Sequence, residues 1–117
     1  MHVTTTCLTT DHAGIPQELA ALDSDSSLLL LFGTSGLIDQ PDRIAQVMAA
    51  CPRSHVMGCS TAGEIHGAEI SYDSLVVAAV RFEKTRLLTT HAAVHSPQDS
   101  YAAGRAIAAS LQQPSLR

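Results

Sequence analysis

The chain has 117 residues, of which 45% are hydrophobic, 15% are charged and 3% are aromatic. This size and apolar content suit one globular core built from aliphatic side chains between layers, which favours an α/β sandwich. The formal net charge of -4 and the scarcity of aromatic residues argue against nucleic acid as a partner, because such proteins neutralise phosphates with cationic surface and stack bases on rings.

No segment of the sequence is long and apolar enough for a transmembrane helix, which needs about 20 apolar residues. The longest aliphatic and aromatic run covers only residues 28–32, and the first lysine or arginine is Arg43, so the start does not resemble a secretory signal. We therefore expect a cytoplasmic protein with no membrane partner. The three cysteines are widely spaced and lack a CxxC pattern, which predicts free thiols at Cys7, Cys51 and Cys59.

The first third of the sequence predicts two strands around a short helix. Residues 2–8 are rich in β-favouring side chains with partial alternation, which indicates a strand. Residues 16–22 have two leucines three apart after a proline suited to a first turn, which predicts a short helix. The apolar run of residues 27–32 indicates a strand buried on both faces, and the glycines in residues 33–36 indicate a tight turn after it.

A helix and a further strand follow, and together they predict a parallel βαβ unit. Asp39 can cap a helix that carries Pro41 in its first turn, and Pro52 ends it. Residues 54–59 form the next strand, and a strand, helix and strand in this order are almost always parallel and right-handed. The apolar face of the helix consists of side chains at three- and four-residue spacing: Ile44, Val47, Met48 and Cys51.

The last third predicts an antiparallel hairpin and a C-terminal helix. Residues 74–82 are strongly β-like, and the polar residues after them can turn the chain into a second strand over residues 86–94. The alanine-rich residues 99–111 predict a helix. We therefore predict an α/β layered sandwich in which a parallel βαβ unit is followed by an antiparallel hairpin and a C-terminal helix, all in one incomplete domain over residues 1–117.

The segment of residues 58–65 combines a favourable position with chemistry suited to a ligand site. It leaves the carboxyl end of a parallel strand, where open α/β sheets bind their ligands. Its small residues allow close backbone approach, its hydroxyl and thiol groups offer hydrogen bonds, and Glu64 offers a charge for a cationic group. On composition alone an ordinary turn stays open as the alternative. The predicted ligand-binding residues are Gly58, Cys59, Ser60, Thr61, Ala62, Gly63 and Glu64.

The same segment resembles the signature of the FIST sensory domain, in the run Gly-Cys-Ser-Thr-Ala-Gly-Glu-Ile at residues 58–65. Strands at residues 27–32 and 74–82 resemble the family's flanking segments, so the resemblance covers most of residues 27–95. It implies the first part of a FIST N-terminal domain, a small-ligand-binding input module of prokaryotic signal transduction rather than an enzyme. It also implies an amino acid-like ligand or haem, since some members bind haem and sense nitric oxide, and an output partner such as a histidine kinase.

Catalytic alternatives have weaker support in the sequence. A serine hydrolase elbow needs G-x-S-x-G, and the register that begins at Gly58 lacks the second glycine. Cys59 stays open as a nucleophile of a thiol-dependent enzyme with His55 or His66 as its base. Free cysteines are more often small, buried and inert residues, however. We therefore predict binding rather than catalysis.

A metal centre is not predicted from the six histidines. His91 and His95 share one face of a helix or strand, but a lone pair of this kind is usually exposed, and the spacing of His2, Cys7 and His12 does not suit zinc. None of the histidines can be matched to an axial haem ligand of the family. A structural fragment that binds no ligand, and whose exposed sheet edge pairs with another chain, stays open as a further alternative.

Overall fold

Six strands and three helices make up the described part of the chain. The computed structural model describes residues 1–9, 14–36 and 41–112. For Pro41 it describes the backbone and not the side chain. The chain divides into two units, Met1–Leu87 with all six strands and Leu88–Arg117 with the last helix. In chain order the elements are β1 (His2–Thr9), α1 (Gln17–Ala20), β2 (Ser27–Thr34), α2 (Pro41–Ala50), β3 (His55–Thr61), β4 (Glu64–His66), β5 (Glu69–Ser71), β6 (Ser74–Arg81) and α3 (Ser100–Leu111).

Four of the strands form one mixed sheet in the order β1-β6-β2-β3. β2 and β3 are parallel and are connected through α2, which confirms the predicted βαβ unit. β6 lies between β1 and β2 and is antiparallel to both. The chain is therefore an α/β protein with a parallel βαβ unit, an antiparallel hairpin and a C-terminal helix, as the sequence predicts.

One face of the sheet carries the buried core of the unit Met1–Leu87. Along β2 the side chains alternate, so that Leu29 is 1% exposed whereas Phe32, on the opposite face, is 37% exposed. Leu19 of α1 and Val47 of α2 are buried in the same cluster as Leu29. The prediction that residues 27–32 are buried on both faces is wrong, because alternation sends only every second side chain towards these helices.

The apolar stripe of α2 is narrower than predicted. Val47 and Cys51, four residues apart, are buried, and Ile44 is partly buried on the same side. Met48, which we predicted on this face, is 50% exposed. The prediction for Met48 is wrong because a residue one position after Val47 lies about 100° further around the helix. The predicted cap, Asp39, lies outside the described residues.

The antiparallel hairpin lies at a different place in the chain from the one predicted. It is formed by β4 and β5, with Ile65 paired to Ile70. Residues 85–95 form neither helix nor strand, so the prediction of a strand over residues 86–94 is wrong. The physical reason is the position of β6: β1 and β2 already pair with its two edges, which leaves no edge for a strand that follows it.

The predicted C-terminal helix is confirmed as α3. A 3₁₀ turn at Pro97–Asp99 leads into it. The backbone amide and the hydroxyl of Ser96 both donate to Asp99 Oδ2 over 3.0 Å, which stabilises the start of the turn. Within the described residues, no helix has the length and apolar character needed to cross a membrane.

Asp23 joins the two loops at the amino ends of β2 and β3. Its Oδ1 accepts hydrogen bonds from the backbone amide of Arg53, over 3.0 Å, and from Ser54 Oγ, over 2.7 Å. The guanidinium of Arg53 also forms an ion pair with Asp25, over 3.0 Å. These bonds fasten the parallel strands at the end opposite the predicted ligand site.

Candidate functional site

A pocket opens at the carboxyl ends of the parallel strands β2 and β3. Its volume is about 360 Å³ and its lining is mostly apolar. Open α/β sheets place their ligands at this end, and the volume is within the range of small-molecule sites. Three of the predicted site residues line it: Gly58, Cys59 and Ser60. The rest of the lining comes from Leu31, Gly33 and Thr34 of β2, Val56 and Met57 of β3, Ile44 of α2 and Leu75 of β6.

Gly58 lets β3 approach β2 closely beside this pocket. It is paired with Leu31 across the two parallel strands. A Cβ atom at position 58 would lie 2.5 Å from the carbonyl oxygen of Leu31 and 2.9 Å from its Cβ. Because those distances are shorter than any ordinary non-bonded contact, the close approach of the two strands requires glycine at this position.

Strand alternation divides the residues of β3 between the two faces of the sheet. Ser60 is paired with Gly33, and Gly33 is paired with the core residue Leu75, so these three residues lie on the core-facing side. Met57 and Cys59 are exposed and alternate to the opposite face. Ser60 is therefore the polar side chain that β3 presents on the core-facing side of the sheet.

Glu64 is buried at the start of β4, where its carboxyl group is held by two hydroxyls. The residue is only 2% exposed. Thr61 Oγ1 donates to Glu64 Oε1 over 2.7 Å, and Ser74 Oγ donates to Oε2 over 3.1 Å. Glu64 is not part of the pocket lining. This carboxyl group, for which the sequence predicts a cationic ligand, bonds the end of β3 and the start of β6.

A family model described as the FIST N domain matches residues 27–116. The chain belongs to the FIST N domain family. The match confirms the resemblance seen in the signature at residues 58–65 and extends beyond it to include α3. FIST domains are sensory domains of signal transduction, so the sensory class of the protein is established at this level. No curated protein and no solved structure shows significant similarity to the chain.

The signature of this FIST N domain is mostly strand, and β3 runs two residues past the strand end predicted at residue 59. Residues 58–61 belong to β3, and the bend is confined to Ala62 and Gly63. A Cβ atom added to Gly63 would lie 3.2 Å from the ring of Tyr72, so the ring packs directly over the glycine. The strand continues because residues 55–61 remain paired with β2 along their length. The turn that the sequence predicts at residues 33–36 begins later than predicted, because β2 continues to Thr34.

The three cysteines of the FIST N domain have different surroundings. Cys51 is buried, and burial raises the pKa of its thiol, with a further contribution from the charge of Asp23. Its Sγ also donates to the carbonyl oxygen of Leu19 over 3.7 Å. Cys7 is partly buried and Cys59 is exposed. All three are free thiols, as the sequence predicts.

The pocket does not fit a haem group. Haem iron is held by His, Cys, Met or Tyr side chains. Cys59 and Met57 are the described lining residues of these types, and both side chains alternate to the opposite face of the sheet. Among the described residues no group of three or more His, Cys, Asp and Glu side chains is placed to hold a metal ion. His12 lies outside the described part of the chain.

Sequence reasoning missed several residues of this site. Ser74 holds Glu64 from ten positions further along the chain, and no local pattern relates the two. Ile44, Val56 and Leu75 line the pocket, although their spacing indicated only core side chains. No local signal could have located them, because Ile44 lies in α2, Val56 near the start of β3 and Leu75 near the start of the antiparallel strand β6.

Proposed function

We propose that this FIST N domain is a small-ligand sensor whose ligand binds in the pocket beside Gly58, Cys59 and Ser60. The observation that carries the proposal is the position of these signature residues on the wall of a pocket of about 360 Å³. Membership of a sensory family supports the same role. Thr61 and Glu64 stabilise the site without lining the pocket, because their hydrogen bond holds the end of β3, which forms part of the pocket wall.

In this proposal the ligand signals through contacts that differ between two states of the protein. Ile44 of α2 and Ser60 of β3 both line the pocket, so a bound molecule contacts a helix and a strand together. A ligand shifts a conformational equilibrium only by its difference in affinity for the two states. We propose that the position of α2 changes with occupancy and is read by a signalling partner such as a histidine kinase, in the cytoplasm.

Binding without catalysis is the favoured activity. A thiol enzyme would need its nucleophile directed at the substrate. Cys59 is exposed and is paired with Phe32, which places its side chain on the face of the sheet opposite the pocket. The Cys59 side chain is therefore not directed at a ligand on the core-facing side of the sheet, and we propose that the protein is not an enzyme.

A thermal unfolding screen tests the proposal. The purified protein is heated with amino acids, short aliphatic alcohols, the corresponding amines and haem, and we expect at least one compound to raise Tm with increasing concentration. Val56→Phe fills the pocket, whereas Val3→Phe adds the same atoms to an exposed position, 55% accessible, on the other edge strand. Stabilisation should be lost in Val56→Phe and kept in Val3→Phe. A screen in which nothing stabilises the protein would contradict the proposal.

A further inference from the structure

The pocket lining carries no charged side chain among the described residues. Its apolar side chains come from β2, β3, β6 and α2, and its remaining members are glycine, serine, threonine and cysteine. Removing an ammonium or a carboxylate from water is costly unless an opposite charge or several hydrogen bonds replace the hydration. The described part of the wall therefore discriminates against ions and zwitterions, including free amino acids.

The acidic residue of the signature is not available to compensate a cationic ligand. Glu64 is 2% exposed, and each of its carboxyl oxygens already accepts a hydrogen bond, from Thr61 and from Ser74. Redirecting Glu64 to the pocket would break both bonds and leave two hydroxyls without their acceptor. This arrangement is independent of the pocket lining and leads to the same conclusion about charge.

One polar side chain on the pocket wall is free to hold a ligand through a neutral hydrogen bond. Ser60 is exposed, and its register with Gly33 places it on the core-facing side of the sheet. The hydroxyl of Thr34, by contrast, accepts from the backbone amide of Gly36 over 3.5 Å, and Thr34 alternates to the opposite face. Among the described residues, the pocket thus combines an aliphatic wall from Leu31, Ile44 and neighbouring residues with the hydroxyl of Ser60.

We propose that the pocket selects an uncharged, mainly aliphatic small molecule with one neutral hydrogen-bonding group, which Ser60 binds. This inference rests on the proposed function and names the chemical class of its ligand. The class differs from the amino acid-like or haem ligand that the family resemblance implies. A branched primary alcohol of about five carbons is a simple representative, since such a molecule places apolar atoms against Leu31 and Ile44 and its hydroxyl at the strand end.

Three compounds that share a 3-methylbutyl skeleton test the proposal: isoamyl alcohol is neutral, isoamylamine is a cation, and L-leucine, which adds a carboxylate, is a zwitterion. Each is titrated into isotopically labelled protein, and amide chemical shifts are followed by NMR. We expect the alcohol to shift the amides of residues 56–60, with an affinity at least about tenfold higher than the other two. Equal or tighter binding of isoamylamine or L-leucine at these amides would overturn the inference and leave the proposed function intact. If none of the three shifts them, the inference fails, and the broader screen decides the proposed function.

Three substitutions separate pocket binding from nonspecific solvent effects of the alcohol. Ser60→Ala removes the hydroxyl at an exposed position and is expected to weaken alcohol binding about threefold to tenfold, as the loss of one neutral hydrogen bond does. Val56→Phe is expected to abolish the shifts, and Val3→Phe is expected to leave them unchanged. Equal affinity in Ser60→Ala and the unaltered protein would contradict the role of Ser60.

Discussion

Ser74 Oγ donates a hydrogen bond to Glu64 Oε2 over 3.1 Å, which connects the first residue of β6 to the first residue of β4. Together with the bond from Thr61 to the other carboxyl oxygen, it closes the bend between the sheet and the hairpin. The buried carboxyl group is thus a structural link within the signature. We therefore expect the removal of this carboxyl group to affect folding more directly than ligand binding.

We expect Glu64→Ala to lower the free energy of unfolding by about 2–4 kcal/mol, because two hydroxyls lose their acceptor and a buried space is left. Glu64→Gln keeps the shape and one acceptor oxygen, so a smaller loss is expected. Urea denaturation measures both. Glu69→Ala, on the exposed strand β5, is the control and should change the free energy by less than about 0.5 kcal/mol. Equal losses for Glu64→Ala and Glu69→Ala would contradict the structural role.

Gly58→Ala is expected to destabilise the sheet by about 1–3 kcal/mol, as overpacking does. The added methyl group would meet the backbone oxygen of Leu31 at 2.5 Å, and a backbone atom cannot move aside as a side chain can. Gly36→Ala is the matched control, since the nearest atoms to its added Cβ are those of Thr34 at 4.0 Å. Chemical denaturation of the two variants should give a clear loss for position 58 and almost none for position 36. A Gly58→Ala variant as stable as the control would show that β3 does not need the close approach.

The cysteines should react with iodoacetamide in a defined order. Cys59 is exposed and is expected to be alkylated first, whereas Cys51 is buried and its thiol pKa is raised, so less of the reactive thiolate forms. Mass spectrometry of digests taken over time measures each site. Addition of urea should make Cys51 react like Cys59, because unfolding removes the burial. Rapid alkylation of Cys51 in the native protein would contradict the core described for α2.

The ion pair of Asp25 and Arg53 should contribute to stability only above strongly acidic pH. The hydrogen bond from Arg53, and then its charge, lower the pKa of the Asp25 carboxyl below its ordinary value of 3.8. A lowered pKa in the folded state adds stability above the unfolded-state pKa, and that stability is lost as pH falls through the folded-state value. We therefore expect Asp25→Asn to be slightly less stable than the unaltered protein at neutral pH, and the difference to disappear in strong acid.

Denaturant unfolding at neutral and acidic pH measures this difference. Both partners are largely exposed, with side-chain accessibilities of 59% for Arg53 and 79% for Asp25, so the difference should be small and should shrink in high salt. Asp73→Asn, at an exposed carboxyl between β5 and β6, is the control. If the difference in the free energy of unfolding between Asp25→Asn and the unaltered protein grows as the pH falls, that result would contradict the role of this ion pair.

The candidate site could be predicted from the sequence in its position and only partly in its roles. The small residues around Gly58 and their place after an apolar strand indicated the end of the sheet where the pocket lies, because that rule needs only local order. The role of Glu64 was open to two interpretations. Its burial depends on Ser74 and on the short hairpin between them, and no periodicity within residues 58–65 contains that contact.

The sequence by itself determined the βαβ unit, the helix α3 and the family, because apolar periodicity and a contiguous signature are local properties of the chain. The tertiary structure alone decided which strands pair with β6. β1 pairs with one edge of β6, from His2 opposite Arg81 to Thr9 opposite Ser74, and β2 pairs with the other edge, which leaves none for the strand predicted over residues 86–94. Strand order depends on which distant segments together bury the most apolar surface and satisfy the most backbone hydrogen bonds, and that competition involves the whole chain at once.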